Sequence, residues 1–271
     1  MASHNERLNQ NEYLNKVLCG DSAKVLSQLP DSCISLTLTS PPYDSLRTYQ
    51  GFTFDFPTIA QELTRVTCPG GVIVWIVQDG TVNGSKTLTS FRQGLYFTEQ
   101  CGLRMHDVMI RQKAGCNFPS KVRYWANWDF MFVLSKGKPR VVNLLADRPN
   151  KYAGQRTHGS DRLPDGSFKR KAQGKVTPAY GFRFNVWPVP HNKPGRFSHP
   201  ASFSVDLAKD HIRSWSRGGD LVCDPFLGSG TAALAARQLN RNFTGIEISP
   251  TYCELAKSRL AQQDNQVALA A

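Results

Sequence analysis

Apolar residues recur along this chain with two periods. Short unbroken runs, Cys33 to Thr39, Val72 to Val77, Leu221 to Cys223 and Phe243 to Glu247, are rich in β-branched residues. Such runs predict strands covered on both faces, as in a parallel sheet. Between them the apolar positions return every three or four residues. That spacing predicts helices over 22–29, 57–66, 90–101, 203–215 and 232–239, and one from Pro250 capped by Ser249. Lys16 to Cys19, Val108 to Gln112 and Asp129 to Ser135 complete the expected strands, and Cys68-Pro69-Gly70-Gly71 reads as a turn. Strand and helix alternate, so the fold class expected is α/β: a mostly parallel sheet with helices on both faces. Two stretches stand apart. Residues 1–15 are polar and expected to be flexible. From Lys136 to Arg196 the periodicity fades into Gly, Pro, Lys and Arg.

Charge sharpens that second boundary. Residues 138–196 hold thirteen Lys or Arg and three Asp, a surplus of ten out of the chain's net +12. A positive charge confined to one stretch points to a polyanion partner. Tyr152, Phe168, Tyr180, Phe182, Phe184 and Trp187 give this loop-rich insert aromatic material with which to pack. No apolar run reaches the ~18 residues of a membrane span, and the first residues lack a secretory core, so a cytoplasmic protein is expected. The seven cysteines are scattered, with no Cys-x-x-Cys pair, and read as reduced core residues. The histidines do not group with cysteines or acids at metal-ligand spacing, and no metal is expected.

Two segments carry chemistry. Asp224-Pro225-Phe226-Leu227-Gly228-Ser229-Gly230-Thr231 follows a strand and opens a helix, and Glu247 ends the next strand. Glycines let a ligand approach the backbone, and an acid at this distance can accept ribose hydroxyls. No Gly-Lys-Ser/Thr follows, so the turn is not a phosphate loop. A nucleoside cofactor without pyrophosphate fits, with S-adenosyl-L-methionine (SAM) as the leading example. The other segment, Ser40-Pro41-Pro42-Tyr43, ends a core strand in an elbow whose prolines fix their own φ and donate no ladder hydrogen bond.

The elbow resembles motif IV of the DNA amino-methyltransferases, and Asp224 to Thr231 resembles their SAM-binding motif I. The catalytic motif precedes the SAM motif with a basic segment between, the order of that family's β class. The resemblance implies a circularly permuted Rossmann-like methyltransferase domain over 16–137 and 197–271. It implies a target-recognition region over 138–196. It implies methyl transfer from SAM to an exocyclic amine of a base flipped out of double-stranded DNA. Ser40 and Pro41 would hold the amine through hydroxyl and carbonyl oxygens, and Pro42 would stiffen the elbow. Tyr43 would stack on the base. Cofactor contacts are expected from Asp21, His199, Pro200, Asp224, Pro225, Phe226, Gly228, Ser229, Gly230, Thr231 and Glu247. DNA contacts are expected from Arg47, Tyr49, Lys169, Arg170, Lys171, Lys175, Arg183 and Arg196.

Ser before Pro-Pro is typical of N4-cytosine enzymes in that family, and Asp or Asn of N6-adenine enzymes, so N4-methylcytosine is the expected product and N6-methyladenine the alternative. Carbon-5 methylation would need a cysteine after a proline, and none occurs here. A protein-glutamine or RNA methyltransferase would normally carry the SAM motif first. A silent DNA-binding relative would have no need of two intact motifs. A restriction-endonuclease partner and a homodimer are both compatible with the resemblance. Asn117, Arg123 and Asn127 precede a strand without an assigned role.

Overall fold

The computed structural model describes residues 7–42, 55–115, 120–156, 159–170, 175–189 and 203–270, with side chains described up to residue 263. Eight strands form one sheet: β1 (Lys16–Cys19), β2 (Ile34–Thr39), β3 (Thr67–Val77), β4 (Arg104–Lys113), β5 (Trp128–Ser135), β6 (Val186–Val189), β7 (Leu221–Asp224) and β8 (Asn242–Glu247). Their spatial order is β1-β8-β7-β2-β3-β5-β4-β6. All neighbours run parallel except at β5, which is antiparallel to both β3 and β4. The helices are α1 (Gln10–Tyr13), α2 (Ser22–Gln28), α3 (Phe56–Val66), α4 (Thr89–Glu99), α5 (Val205–Trp215), α6 (Thr231–Gln238) and α7 (Pro250–Ala270).

The central strands are buried along almost their whole length because both faces are covered. Ile73, Trp75 and Val77 of β3 share a core with Leu26 of α2, Ile59, Leu63 and Val66 of α3, and Phe97 of α4. Their alternates Val72, Val74 and Ile76 point to the opposite face and are equally buried. There α5 packs on β2 and β3 and, beside it, on α6. Local chemistry starts the helices. Asp21 caps α2 through the Lys24 N–H, Asp55 caps α3 ahead of Pro57, and Ser204 caps α5 through the Leu207 N–H.

Three expectations change. Residues 7–15 are not loose: a capping box between Asn9 and Glu12 sets α1, Tyr13 is buried, and the Asn15 N–H bonds the Phe243 carbonyl at 2.7 Å. Cys68–Gly71 is not a turn between elements but a distortion inside β3. Where β2 advances from Ile34 to Leu36, β3 advances from Thr67 to Val72. Gly70, at φ +73°, keeps its pairing by donating to the Lys136 carbonyl at 2.8 Å. The basic stretch also ends earlier than its composition suggests. β6 lies within 138–196, pairs with β4, and buries Trp187 against the His211 ring at 4.7 Å.

The chain divides into two compact units, 1–143 with 185–271, and Leu144–Phe184. The smaller unit consists of short ribbons, Arg148–Pro149 with Tyr180–Gly181 and Ser160–Arg162 with Phe168–Arg170. Its aromatic residues do not form the core expected of them. Tyr152, Phe168, Tyr180, Phe182 and Phe184 are all exposed. What holds the ribbons is polar: Arg183 pairs with Asp147, Arg148 bonds the Phe182 carbonyl and lies 4.4 Å over the Phe184 ring, and Asn150 bonds the Pro178 carbonyl. Among the described residues no helix is long and apolar enough to cross a membrane.

Candidate active site

Four adjacent strands, β1, β8, β7 and β2, end on one edge of the sheet, and both chemistry-bearing segments leave from there. In an open parallel sheet this carboxyl edge is where ligands bind, because the chain leaves it in loops that the sheet holds in place. Asp21 follows β1, Glu247 ends β8, Asp224 ends β7, and Ser40 follows β2 directly.

The turn after β7 depends on its glycines and is closely packed. Gly228 and Gly230 take φ of +52° and +87°, a region that side-chain-bearing residues rarely occupy. A Cβ at Gly230 would lie 3.1 Å from Ala256 of α7. Leu227 folds back over β8, its N–H bonded to the Ile246 carbonyl at 2.9 Å. It fits only because residue 245 is glycine, since a Cβ there would meet Leu227 Cδ2 at 2.4 Å. Ser22 Oγ donates to the Pro225 carbonyl at 2.5 Å, and Arg259 donates to the Ser229 carbonyl and hydroxyl at 2.5 and 2.8 Å. Pro225 and Leu227 to Thr231 are buried, and Phe226 is half-buried.

Glu247 closes this turn. Its two carboxylate oxygens accept the Gly228 N–H at 2.8 Å and the Ser249 N–H at 2.9 Å. An ionised carboxylate offers about four acceptor sites, so roughly two remain for ribose hydroxyls. The residues present therefore fit a nucleoside such as SAM, with a side-chain-free turn after β7 and a half-buried acid that keeps acceptor sites.

A single bond joins the two segments. Thr39 Oγ1 donates to Asp224 Oδ1 at 2.6 Å, and the same oxygen accepts the Phe226 N–H at 3.0 Å. Asp224 is buried, and its carboxyl is pushed up to about 7. Burial is the main cause, the bonds from Thr39 and Phe226 pull it back down, and the Glu247 charge adds a further push upward. Phe226 packs edge-on against Trp75 at 6.2 Å, and Trp75 is the β-ladder partner of Thr39. Ser40 is half-buried, Pro41 buried and Pro42 half-buried.

The structure thus gathers Asp21, Ser40, Pro41, Pro42, the 224–231 turn and Glu247 at one edge. Tyr43, Arg47, Tyr49, Lys171, Arg196, His199 and Pro200 lie outside the described residues. Lys169, Arg170 and Lys175 are exposed in the smaller unit, whereas the Arg183 guanidinium is engaged by Asp147. Sequence reasoning passed over Thr39, Ser22, Gly245 and Arg259. Two of these left a trace. A threonine at the end of a buried strand needs a partner for its hydroxyl, and a glycine inside a strand marks a close approach.

Among the described residues no group of His, Cys, Asp and Glu could hold a metal. A family model described as DNA methylase matches residues 34–258. The chain is 50% identical over 238 residues to the orphan methyltransferase M.BamHII of Bacillus amyloliquefaciens, covering 85% of this chain and 89% of that one. It is 26% identical over 275 residues to the type II methyltransferase M.Cfr9I of Citrobacter freundii, covering 92% and 88%. Two solved structures share the fold. The PvuII DNA methyltransferase, cytosine-N4-specific, superposes with a TM-score of 0.64 at 20% identity, covering 89% of this chain and 84% of that one. A Thermus thermophilus protein, described as a DNA modification methylase and complexed with SAM, gives 0.60 at 24% identity, covering 92% and 93%.

Proposed function

The chain belongs to the DNA methylase family whose model spans residues 34–258, and from that premise we propose that it methylates the N4 amine of a cytosine within a specific DNA sequence. It is a DNA methyltransferase, and SAM is the methyl donor. The observation that carries the reading is the bond from Thr39 to Asp224, which ties the Ser-Pro-Pro elbow to the glycine turn within 2.6 Å. Ser40 ahead of Pro-Pro supports cytosine over adenine, as does the N4-cytosine specificity stated for the PvuII enzyme of the same fold.

An exocyclic base amine is a weak nucleophile because its lone pair is delocalised into the ring. Ser40 Oγ and the Pro41 carbonyl are the two acceptors for its N–H bonds. Held by both, the nitrogen can become pyramidal and its lone pair can point at the methyl group. The prolines fix these acceptors in advance, so little reorganisation is needed during the reaction. Bound SAM supplies the electrophilic methyl on its sulfonium sulfur. The glycine turn and Glu247 would hold its nucleoside, and Asp224 and Asp21 would serve its polar ends. A serine hydroxyl is too weak a base to remove the proton beforehand. The proton leaves late, once the methylated nitrogen is strongly acidic. The target base must first leave the duplex, and Tyr43 offers it a stacking face.

Purified protein incubated with SAM and unmodified genomic DNA, digested to nucleosides and analysed by mass spectrometry, is expected to yield N4-methylcytosine. Ser40→Ala is expected to lower the rate on the order of 100-fold, the scale of losing one preorganised polar contact, with SAM affinity unchanged. N6-methyladenine would overturn the choice of base and leave the mechanism standing. The absence of any methylated base would overturn the reading.

A further inference from the structure

The carboxyl edge continues past the elbow, and its far end carries an exposed group of rings and cations that the catalytic reading leaves unused. After β3 the chain forms a tight hairpin, Thr81–Val82 with Ser85–Lys86, turned at Asn83 and Gly84 with φ of +47° and +75°. Ahead of β5 runs residues 120–127, Ser-Lys-Val-Arg-Tyr-Trp-Ala-Asn. The two are joined: Arg123 donates to the Gly84 carbonyl. Gln78, just past β3, donates to the Trp128 carbonyl at 2.9 Å, and the Lys113 N–H bonds the Asn127 carbonyl at 2.5 Å. The segment is therefore fastened at Arg123 to the hairpin and at Asn127 to β4, on the sheet edge that also bears Ser40.

On this fastened frame the large side chains face water. Tyr124 is 103% exposed and Trp125 62% exposed, and Lys86, Lys121 and Arg123 are exposed beside them. Trp125 Nε1 bonds the Ser120 carbonyl at 2.8 Å, which fixes the ring's polar edge and leaves its faces outward. Across residues 75–92 and 110–130 there are six cations and only two acids, Asp79 and Asp129. Both acids are engaged: Asp79 accepts the Ser90 N–H, and Asp129 lies between Lys113 at 2.9 Å and Arg111 at 3.5 Å. Adjacent exposed rings held on a fixed frame mark a surface that a partner can cover. A net positive surround favours a polyanion, and exposed aromatic faces beside it are platforms on which nucleic-acid bases stack.

We infer that hairpin 81–86 and segment 120–127 form a second DNA-contacting lip, separate from the basic unit at 144–184. Tyr124 and Trp125 stack on base faces, and Lys86, Lys121 and Arg123 pair with phosphates. The inference rests on the DNA methyltransferase reading. It also supplies something that reading needs. Extruding a base removes stacking from its neighbours, and a ring that stacks on those neighbours returns part of it.

The test uses the full chain with a mixed-sequence duplex, the corresponding single strand, and SAM. The double variant Tyr124→Ala/Trp125→Ala is expected to weaken binding of both nucleic acids about tenfold or more. Its KM for DNA should rise in parallel, with SAM affinity and thermal midpoint unchanged. Trp125→Phe, which keeps a ring, should retain most of the affinity. DNA Kd and KM within about twofold of wild type would overturn the inference and leave the function intact. So would unchanged DNA binding accompanied by loss of a dimer in sedimentation, which would make the rings a protein contact. A wild-type protein that neither binds nor methylates DNA would sink the inference together with the functional reading.

Discussion

Asp224 concentrates the conflict that runs through this site. Its carboxyl is buried, bonded twice through one oxygen, and pushed up to about 7. In the unfolded chain the same group titrates at about 3.9. Between about pH 4 and 7 the unfolded chain has lost this proton while the folded one keeps it. Stability from this group therefore falls as pH rises through that window and levels off above it, by up to about 4 kcal/mol. Asp224→Asn retains an acceptor for Thr39 and Phe226 and removes the titration. Thermal melts should find the variant close to wild type at pH 5 and at least as stable at pH 7.5. A wild-type decline that persists unchanged in Asp224→Asn would assign the effect to another group. Asp224 was legible as a site residue from its place before the glycines. Thr39 was not singled out, because nothing in the sequence says which polar group its hydroxyl will meet across 185 residues.

At the scale of elements, the apolar period placed α2, α3 and α5 to within two residues, because it reads interactions local to each helix. α2, α3 and α5 begin at Asp21, Asp55 and Ser204, because a side-chain oxygen at the cap satisfies an N–H that the helix leaves open. The failures share one cause. Cys68–Gly71 looks like a turn, yet β2 on one side and Lys136 on the other keep it in the sheet. Residues 7–15 look unattached, yet Leu8 and Asn15 find partners at Gln28 and Phe243. β6 is too short and too interrupted by Pro188 to be read as a strand until β4 supplies a ladder. The turn after β7 has a sharper test. Gly245→Ala places a methyl into Leu227, an overpacking expected to cost about 1–3 kcal/mol and to weaken SAM binding by shifting the turn. Denaturant unfolding and equilibrium dialysis measure the two effects. Normal stability together with normal SAM affinity would mean that Leu227 can move aside freely.

The whole molecule divides its labour between a scaffold held by apolar burial and a small unit held by polar bonds. The charge of 138–196 was plain from sequence, but the compact unit is narrower, Leu144–Phe184, and leaves its rings exposed. DNA binding should be strongly salt-dependent, with log affinity falling by roughly 0.9 per neutralised phosphate per decade of salt. Lys169→Ala with Arg170→Ala should reduce that slope by about 2. Arg183→Ala should instead loosen the unit, since it frees Asp147. A titration of binding against salt that leaves the slope of the double variant unchanged would remove the ribbon from the DNA interface. The sequence by itself determined the strand and helix alternation, the two motifs with their order, and the acid that ends β8, because these depend on local periodicity and on residues at short spacing. Only the tertiary structure decided that Thr39 meets Asp224, that Leu227 needs Gly245, that β6 completes the sheet, and that Arg123 meets the hairpin at Gly84. Those contacts form between residues far apart in the chain, and which side chains meet is set by sheet order and register rather than by their neighbours in sequence.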